Sequence, residues 1–159
     1  MRPRVYIETT IPSYLTCRPS ADPVRLGHEL ETREWWDTRR GDFELVTSVF
    51  VVDECRDGDP DRAADRLALL AGVPQLEVRP VVSRLAADLI RAMQLPPRVV
   101  TDASHVAVSA VHMVDYLLTW NCTHLANAAL WGRIATTCAA AGFRSPVICT
   151  PGQLLKGVP

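Results

Sequence analysis

Val5-Tyr6-Ile7-Glu8-Thr9-Thr10-Ile11-Pro12 is the stretch that decides the fold. A run of three strand-forming residues ends on a carboxylate. Two threonines then lead into a helix with proline near its first turn, where the missing N–H does no harm. The reading is a short strand over residues 5–8 that feeds straight into a helix.

Working outward, the same unit recurs along the chain. Residues 18–23 form a polar loop, after which Val24, Leu26, Leu30, Trp35 and Trp36 mark an amphipathic helix reaching Arg39 or Arg40, broken by Gly41-Asp42. A second strand over 43–46 precedes a helix that Thr47 or Ser48 would cap and that reaches Arg56. Asp57-Gly58-Asp59-Pro60 closes it, and Ala63, Ala64, Leu67, Leu70 and Ala71 give the next helix before Gly72 and Pro74. A third strand is expected over 76–78, a helix over 81–93, and a turn at Leu95-Pro96-Pro97. Then come a helix over 102–112 with Thr101 as N-cap, a strand over 115–119, a helix over 127–141 ended by Gly142, and a strand over 147–149. This alternation predicts an α/β chain with a parallel sheet covered by helices on both faces. At 159 residues and 48% hydrophobic content, one domain over 1–159 is expected. No repeat or linker interrupts it, and residues 156–159 are expected to fray.

Composition excludes several classes. The formal charge is −1 and the pI about 6.4, so no global basic field points to nucleic acid, although a local basic face would be hidden in the sum. Lys156 is the only lysine. No apolar run approaches a membrane span and no leader pattern opens the chain, so a cytoplasmic protein is expected. Five cysteines, at 17, 55, 122, 138 and 149, contain no C-x-x-C pair and read as buried reduced thiols; Cys122 and His124 lack the other ligands of a zinc site. The P-loop, dinucleotide and serine-hydrolase signatures are missing, and Thr9-Thr10 replaces the second acid that an aspartyl-type phosphatase would need after strand one.

Four polar residues stand where such a sheet would gather them. Glu8 closes the first strand, Glu54 follows the run Val49-Phe50-Val51-Val52, Asp102 opens a helix, and Asn121 follows Tyr116-Leu117-Leu118. The carboxyl ends of parallel strands face one crevice, so these groups can converge on a divalent cation. Asp53 is the rival to Glu54, and pattern alone does not choose between them. Asp102 near a helix N-terminus is favoured as an anion by the macrodipole, which by itself would explain an aspartate there.

The segments Tyr6-Ile7-Glu8-Thr9-Thr10-Ile11-Pro12-Ser13, Gly58-Asp59-Pro60, Asp102-Ala103-Ser104-His105-Val106-Ala107 and Asp115-Tyr116-Leu117-Leu118-Thr119-Trp120-Asn121 resemble, in order and nearly end to end, PIN-domain proteins, especially the VapC-type toxin branch of bacterial type II toxin–antitoxin systems. The resemblance implies a three-layer α/β/α sandwich with a five-stranded parallel sheet. It also implies a Mg²⁺- or Mn²⁺-dependent endoribonuclease acting on RNA, an antitoxin partner and a homodimer. Carried over by position, Glu8, Glu54 and Asp102 become the catalytic acids, and with Asn121 they form the metal shell. Glu8 stands where aspartate is usual, adding a methylene, and Asn121 replaces a carboxylate with a neutral amide, so metal affinity is expected to suffer. The alternative is a PIN-like domain that binds RNA or an antitoxin without cutting.

Around this set, Thr9 and Thr119 are candidates for hydrogen bonds to the ligands or a scissile phosphate. His105, one turn from Asp102, reads first as packed and second as a contact to phosphate or metal water; His124 and Asn127 could touch substrate, with helix capping the simpler role for Asn127. His112 lies too far along its helix to share the ion, and His28 reads as surface. Trp35, Trp36 and Trp131 read as core, with an antitoxin anchor as the alternative. No basic patch interleaved with aromatics suggests base stacking.

Overall fold

The computed structural model describes residues 1–94, 96 and 99–156. Five strands, β1 (Arg4–Ile7), β2 (Glu44–Ser48), β3 (Gln75–Leu76), β4 (Tyr116–Leu118) and β5 (Val147–Cys149), form one all-parallel sheet in the order β3-β2-β1-β4-β5. The helices between and after them are α1 (Thr10–Thr16), α2 (Pro23–Thr38), α3 (Val49–Cys55), α4 (Pro60–Leu70), α5 (Pro80–Met93), α6 (Val100–Val111), α7 (Ala128–Ala140) and α8 (Pro151–Leu155), with a short 3-10 turn at Arg40–Asp42.

This strand order explains the layers. The chain steps from β1 to β2 to β3 in one direction and then returns to β4 and β5 in the other, so right-handed crossovers put the two sets of helices on opposite faces. Accordingly α1, α2, α4 and α8 pack among themselves, while α5 packs on α6 and α7. The result is a three-layer α/β/α sandwich. The central strand β1 pairs with β2 through Val5 and Leu45 and with β4 through Val5 and Tyr116, and Val5, Tyr6 and Ile7 are all fully buried. Strand order reverses between β1 and β4, which opens a crevice at their carboxyl ends.

Several expected boundaries move for identifiable reasons. β2 runs on to Ser48 because β3 pairs with Thr47 and Ser48, and the third strand is confined to Gln75–Leu76, leaving Val78 exposed. α6 begins at Val100, so Thr101 lies inside its first turn and caps nothing; the cap position falls on Val99, which has no side-chain acceptor. α8 was not expected at all. Its signal is the capping box in which Thr150 and Gln153 bond reciprocally. Asn127 does cap α7, accepting from Ala129 N–H at 3.0 Å. Of the expected turn, Leu95 and Pro97 lie outside the described residues, as do residues 157–159 of the expected fray.

Trp35 is fully buried against Phe43 and Trp36, which removes it as an interface anchor. Trp36 is half-buried with the Arg40 guanidinium 4.9 Å from its ring centroid, and Trp131 is exposed rather than core. All five cysteines are free. Cys55, Cys138 and Cys149 are buried, and burial pushes their thiols up to about 11, 11 and 12; Cys17 is half-buried and Cys122 exposed, contrary to the expectation that all are buried. No helix among the described residues is long and apolar enough to cross a membrane.

Candidate metal centre

Glu8 leaves β1 at the crevice and is only 4% exposed. A buried carboxylate is costly unless donors meet it. Three do, all at Oε2: the Thr10 N–H at 3.0 Å, the Thr10 hydroxyl at 2.5 Å and the Thr119 hydroxyl at 2.7 Å. The same two hydroxyls accept from the chain leaving β4, Thr10 from Trp120 N–H at 2.8 Å and Thr119 from Asn121 N–H at 2.9 Å. Glu8 is thus fixed by a lattice that ties the ends of β1 and β4 together across the point where strand order reverses.

α3 supplies the second acid. Asp53 points to solvent and pairs with Arg56 at 2.5 Å, whereas Glu54 turns inward, and this separates the two candidates that sequence pattern left open. Glu54 Oε1 accepts from the Thr9 hydroxyl at 2.8 Å and from His105 Nε2 at 2.8 Å. His105 in turn meets the Tyr6 phenol at 2.8 Å through Nδ1, and the phenol meets the Ser48 hydroxyl at 2.6 Å. A carboxylate can only accept, so Nε2 carries the hydrogen; the phenol then donates to Nδ1 and accepts from Ser48. Burial pushes the Tyr6 phenol well above its ordinary value of 10.0, the Ser48 bond offsets part of this, and the charges of Glu8 and Glu54 add to it. Tyr6 therefore stays protonated as a donor. For Glu54, burial acts to raise the pKa, but the His105 hydrogen bond, the electrostatic attraction of the His105 ring and the Thr9 hydroxyl outweigh it and hold the carboxyl below its ordinary 4.5.

α6 supplies the third. Asp102 lies one turn before His105 on the same helix face, and its Oδ2 accepts from His124 Nδ1 at 2.7 Å. Asn121 Oδ1 accepts from the His124 N–H at 3.1 Å, and the Asn121 carbonyl accepts from Leu125 and Ala126. Asn121 thereby shapes the turn that carries His124 to Asp102.

Atoms of Glu8, Glu54 and His105 lie within 4.8 Å of one another, a group that could hold a metal ion. Of the three, His105 is the poorest ligand because it is fully buried and both ring nitrogens are hydrogen-bonded. Its role is to orient Glu54. The two carboxylates of that group fit a hard cation better: Glu8 Oε1 and Glu54 Oε2 have no hydrogen-bond partner among the described residues, while the sister oxygen of each is pinned; Asp102, whose Oδ1 is likewise without a partner there, is not part of the group that closes within 4.8 Å.

Thr9 and Thr119 bond to the acids, as expected of one of their two roles. His105 is sealed from solvent, which rules out its contact with a substrate phosphate. His124 meets Asp102 and keeps Nε2 without a partner among the described residues. His112 Nε2 bonds the Glu77 carbonyl, away from the site. His28 is not a bare surface residue: it stacks on Trp120 at 4.0 Å, with Tyr14 on the same indole at 6.3 Å, an aromatic cluster that no contiguous stretch of sequence displays. Sequence reasoning missed Thr10, Tyr6 and Ser48. The usable signal was Tyr6, on the same strand face as Glu8 and carrying a hydroxyl into a strand expected to be buried, where it requires a partner.

Comparison with protein-family models finds no match to this chain, and comparison with curated protein sequences finds none.

Proposed function

We propose that this protein is a divalent-metal-dependent endoribonuclease that hydrolyses RNA phosphodiester bonds in the cytoplasm, with Glu8, Glu54 and Asp102 as its metal ligands. The observation that carries the reading is the pinning of three carboxylates, Glu8 by Thr10 and Thr119, Glu54 by Thr9 and His105, and Asp102 by His124, one oxygen of each held and the other without a partner among the described residues. Acids that serve only solubility are not anchored this way. The ordered motifs that resemble PIN domains support RNA as substrate, an antitoxin as partner and a homodimer as assembly.

Bound Mg²⁺ or Mn²⁺ supplies the Lewis acidity that makes water nucleophilic near neutral pH and offsets charge on the phosphoryl oxygens. The chain's own groups prepare the place. Thr10 and Thr119 hold Glu8, Thr9 and His105 hold Glu54, and His124 holds Asp102. The buried Ser48–Tyr6–His105 chain fixes which His105 nitrogen faces Glu54 and keeps water from that side. His124 Nε2 remains available to exchange a proton with a substrate oxygen.

One observation favours a second reading. The Asn121 amide oxygen already accepts from His124 N–H and brings no charge, which suits a domain that binds RNA or a partner and cuts weakly or not at all. Cleavage of a structured RNA pool in Mn²⁺, Mg²⁺ or EDTA separates the two, comparing wild type with Asp102→Asn at matched folding. The nuclease reading expects metal-dependent cutting that the substitution abolishes. Absence of cutting by folded wild-type protein in every condition overturns it in favour of the second.

A further inference from the structure

A cleft of about 800 Å³ lies between α1, the loop after α1, the start of α2, and α4, and none of the candidate metal-site residues lines it. Ser13 and Thr16 of α1 form one wall. Four arginines line the same space, Arg18, Arg25, Arg62 and Arg66, none of them adjacent in sequence. α1 runs from Thr10, which clamps Glu8, past Ser13 to Thr16, so the cleft wall begins about 5 Å along the helix from Thr10 and reaches about 9 Å.

The partners of these arginines matter for their charge. Arg62 donates to the Thr16 carbonyl at 2.6 Å, and Arg66 donates to the carbonyls of Cys55 and Asp57 at 2.9 and 2.6 Å. Neutral carbonyls fix the two side chains without cancelling their charge. Arg62 has only a distant second partner, Asp65 at 4.0 Å, and Arg18 has no side-chain partner among the described residues. Arg25 pairs with buried Glu29 at 3.3 Å and lies over the Tyr14 ring at 5.5 Å. Asp59, Asp61 and Asp65 are exposed on the same cleft and oppose an anion there. A planar fork held rigidly on one side and open on the other is the geometry that suits phosphate oxygens.

We infer that this cleft binds the phosphate backbone of single-stranded RNA on one side of the scissile bond, with Arg62 and Arg66 as the fixed inner wall and Arg18 and Arg25 as the outer one. The inference rests on the RNA-cleaving reading of the Glu8, Glu54 and Asp102 site and names how that site's substrate is held. Arg62 and Arg66 also tie down the ends of α1 and α3, so their removal would disturb the acids as well; Arg18, Asp61 and Asp65 are the positions that separate charge from folding.

The test is equilibrium binding of a labelled single-stranded RNA oligonucleotide in EDTA, where cutting does not intervene, over a series of salt concentrations. Arg18→Ala is expected to weaken binding and to lower the slope of log affinity against log salt by about 0.7, the share of one phosphate contact on a single strand. The Asp61→Asn/Asp65→Asn double variant is expected to bind several-fold more tightly, an opposite effect that loss of structure does not produce. Unchanged affinity and slope in both variants, in a wild-type protein that binds RNA and cuts it with metal, overturns the cleft assignment and leaves the nuclease reading standing. Charge-dependent binding without cutting in Mg²⁺ or Mn²⁺ upholds the cleft and overturns the nuclease. Polyglutamate that competes with RNA at equal charge concentration and shows the same dependence on Arg18 overturns RNA in favour of an acidic polypeptide.

Discussion

Glu54 and Asp102 are each held by a histidine, at 2.8 and 2.7 Å, yet the two histidines sit in different media. His105 is fully buried and continues into Tyr6 and Ser48, whereas the His124 side chain is 27% exposed and hangs from a turn shaped by Asn121. The same pairing therefore does different work. In a low-dielectric interior an unmet donor or acceptor is expensive, so the His105 side is bound up with folding; on the wet side a similar contact adds little stability and remains adjustable. One histidine is walled in by the core and the other stands partly in solvent.

The sharpest way to break this contrast is to remove each histidine in turn. His105→Ala leaves the Tyr6 phenol and a Glu54 oxygen short of a partner around a new void, and is expected to cost about 3 kcal/mol in urea unfolding of the metal-free protein. His124→Ala is expected to cost no more than about 1 kcal/mol. Equal losses would erase the distinction. Next in size is Thr10→Val, which removes a hydroxyl donor to Glu8 while nearly preserving shape. Mn²⁺ affinity is expected to fall roughly 10- to 100-fold, as for other groups that orient a ligand, with the fold retained by circular dichroism.

Asn121→Asp sharpens the contrast from the other side. An aspartate can still accept from His124 N–H, and it adds a negative charge to the adjustable half, so Mg²⁺ affinity measured by calorimetry is expected to rise several-fold without loss of stability. The smallest expected effect is on pH dependence. Because the folded Glu54 carboxyl lies below its ordinary 4.5, its contribution is complete above that value and is lost as pH falls through the folded value. Unfolding in EDTA across the acid range should show a shallower loss of stability for Glu54→Gln than for wild type, and parallel curves would contradict the pairing with His105.

Much of this arrangement was legible in the chain. Short apolar runs alternating with 3.6-period segments gave the parallel sheet, and the topology rule for such sheets pointed Glu8, Glu54, Asp102 and Asn121 toward one edge. The parts that stayed hidden depend on contacts between distant segments. Thr10 looks like an ordinary helix-start residue until Trp120 and Glu8 meet its hydroxyl, and Tyr6 looks like core until His105 and Ser48 arrive beside it. Thr101 was misplaced as a cap because helix ends are set within a residue or two by packing as much as by local hydroxyls. The arginine cleft was invisible in a net charge of −1, since its four arginines come from three separate stretches with acids interspersed.

The central claim is that the pinned carboxylates bind a divalent cation, and a Mn²⁺ titration followed by electron paramagnetic resonance tests it most directly, on folded wild type and on Glu8→Gln. Saturable binding by wild type that weakens more than about 100-fold in the variant, beyond what loss of an orienting partner produces, is the expected result. Absence of binding by wild type, or binding that survives Glu8→Gln unchanged, would contradict it.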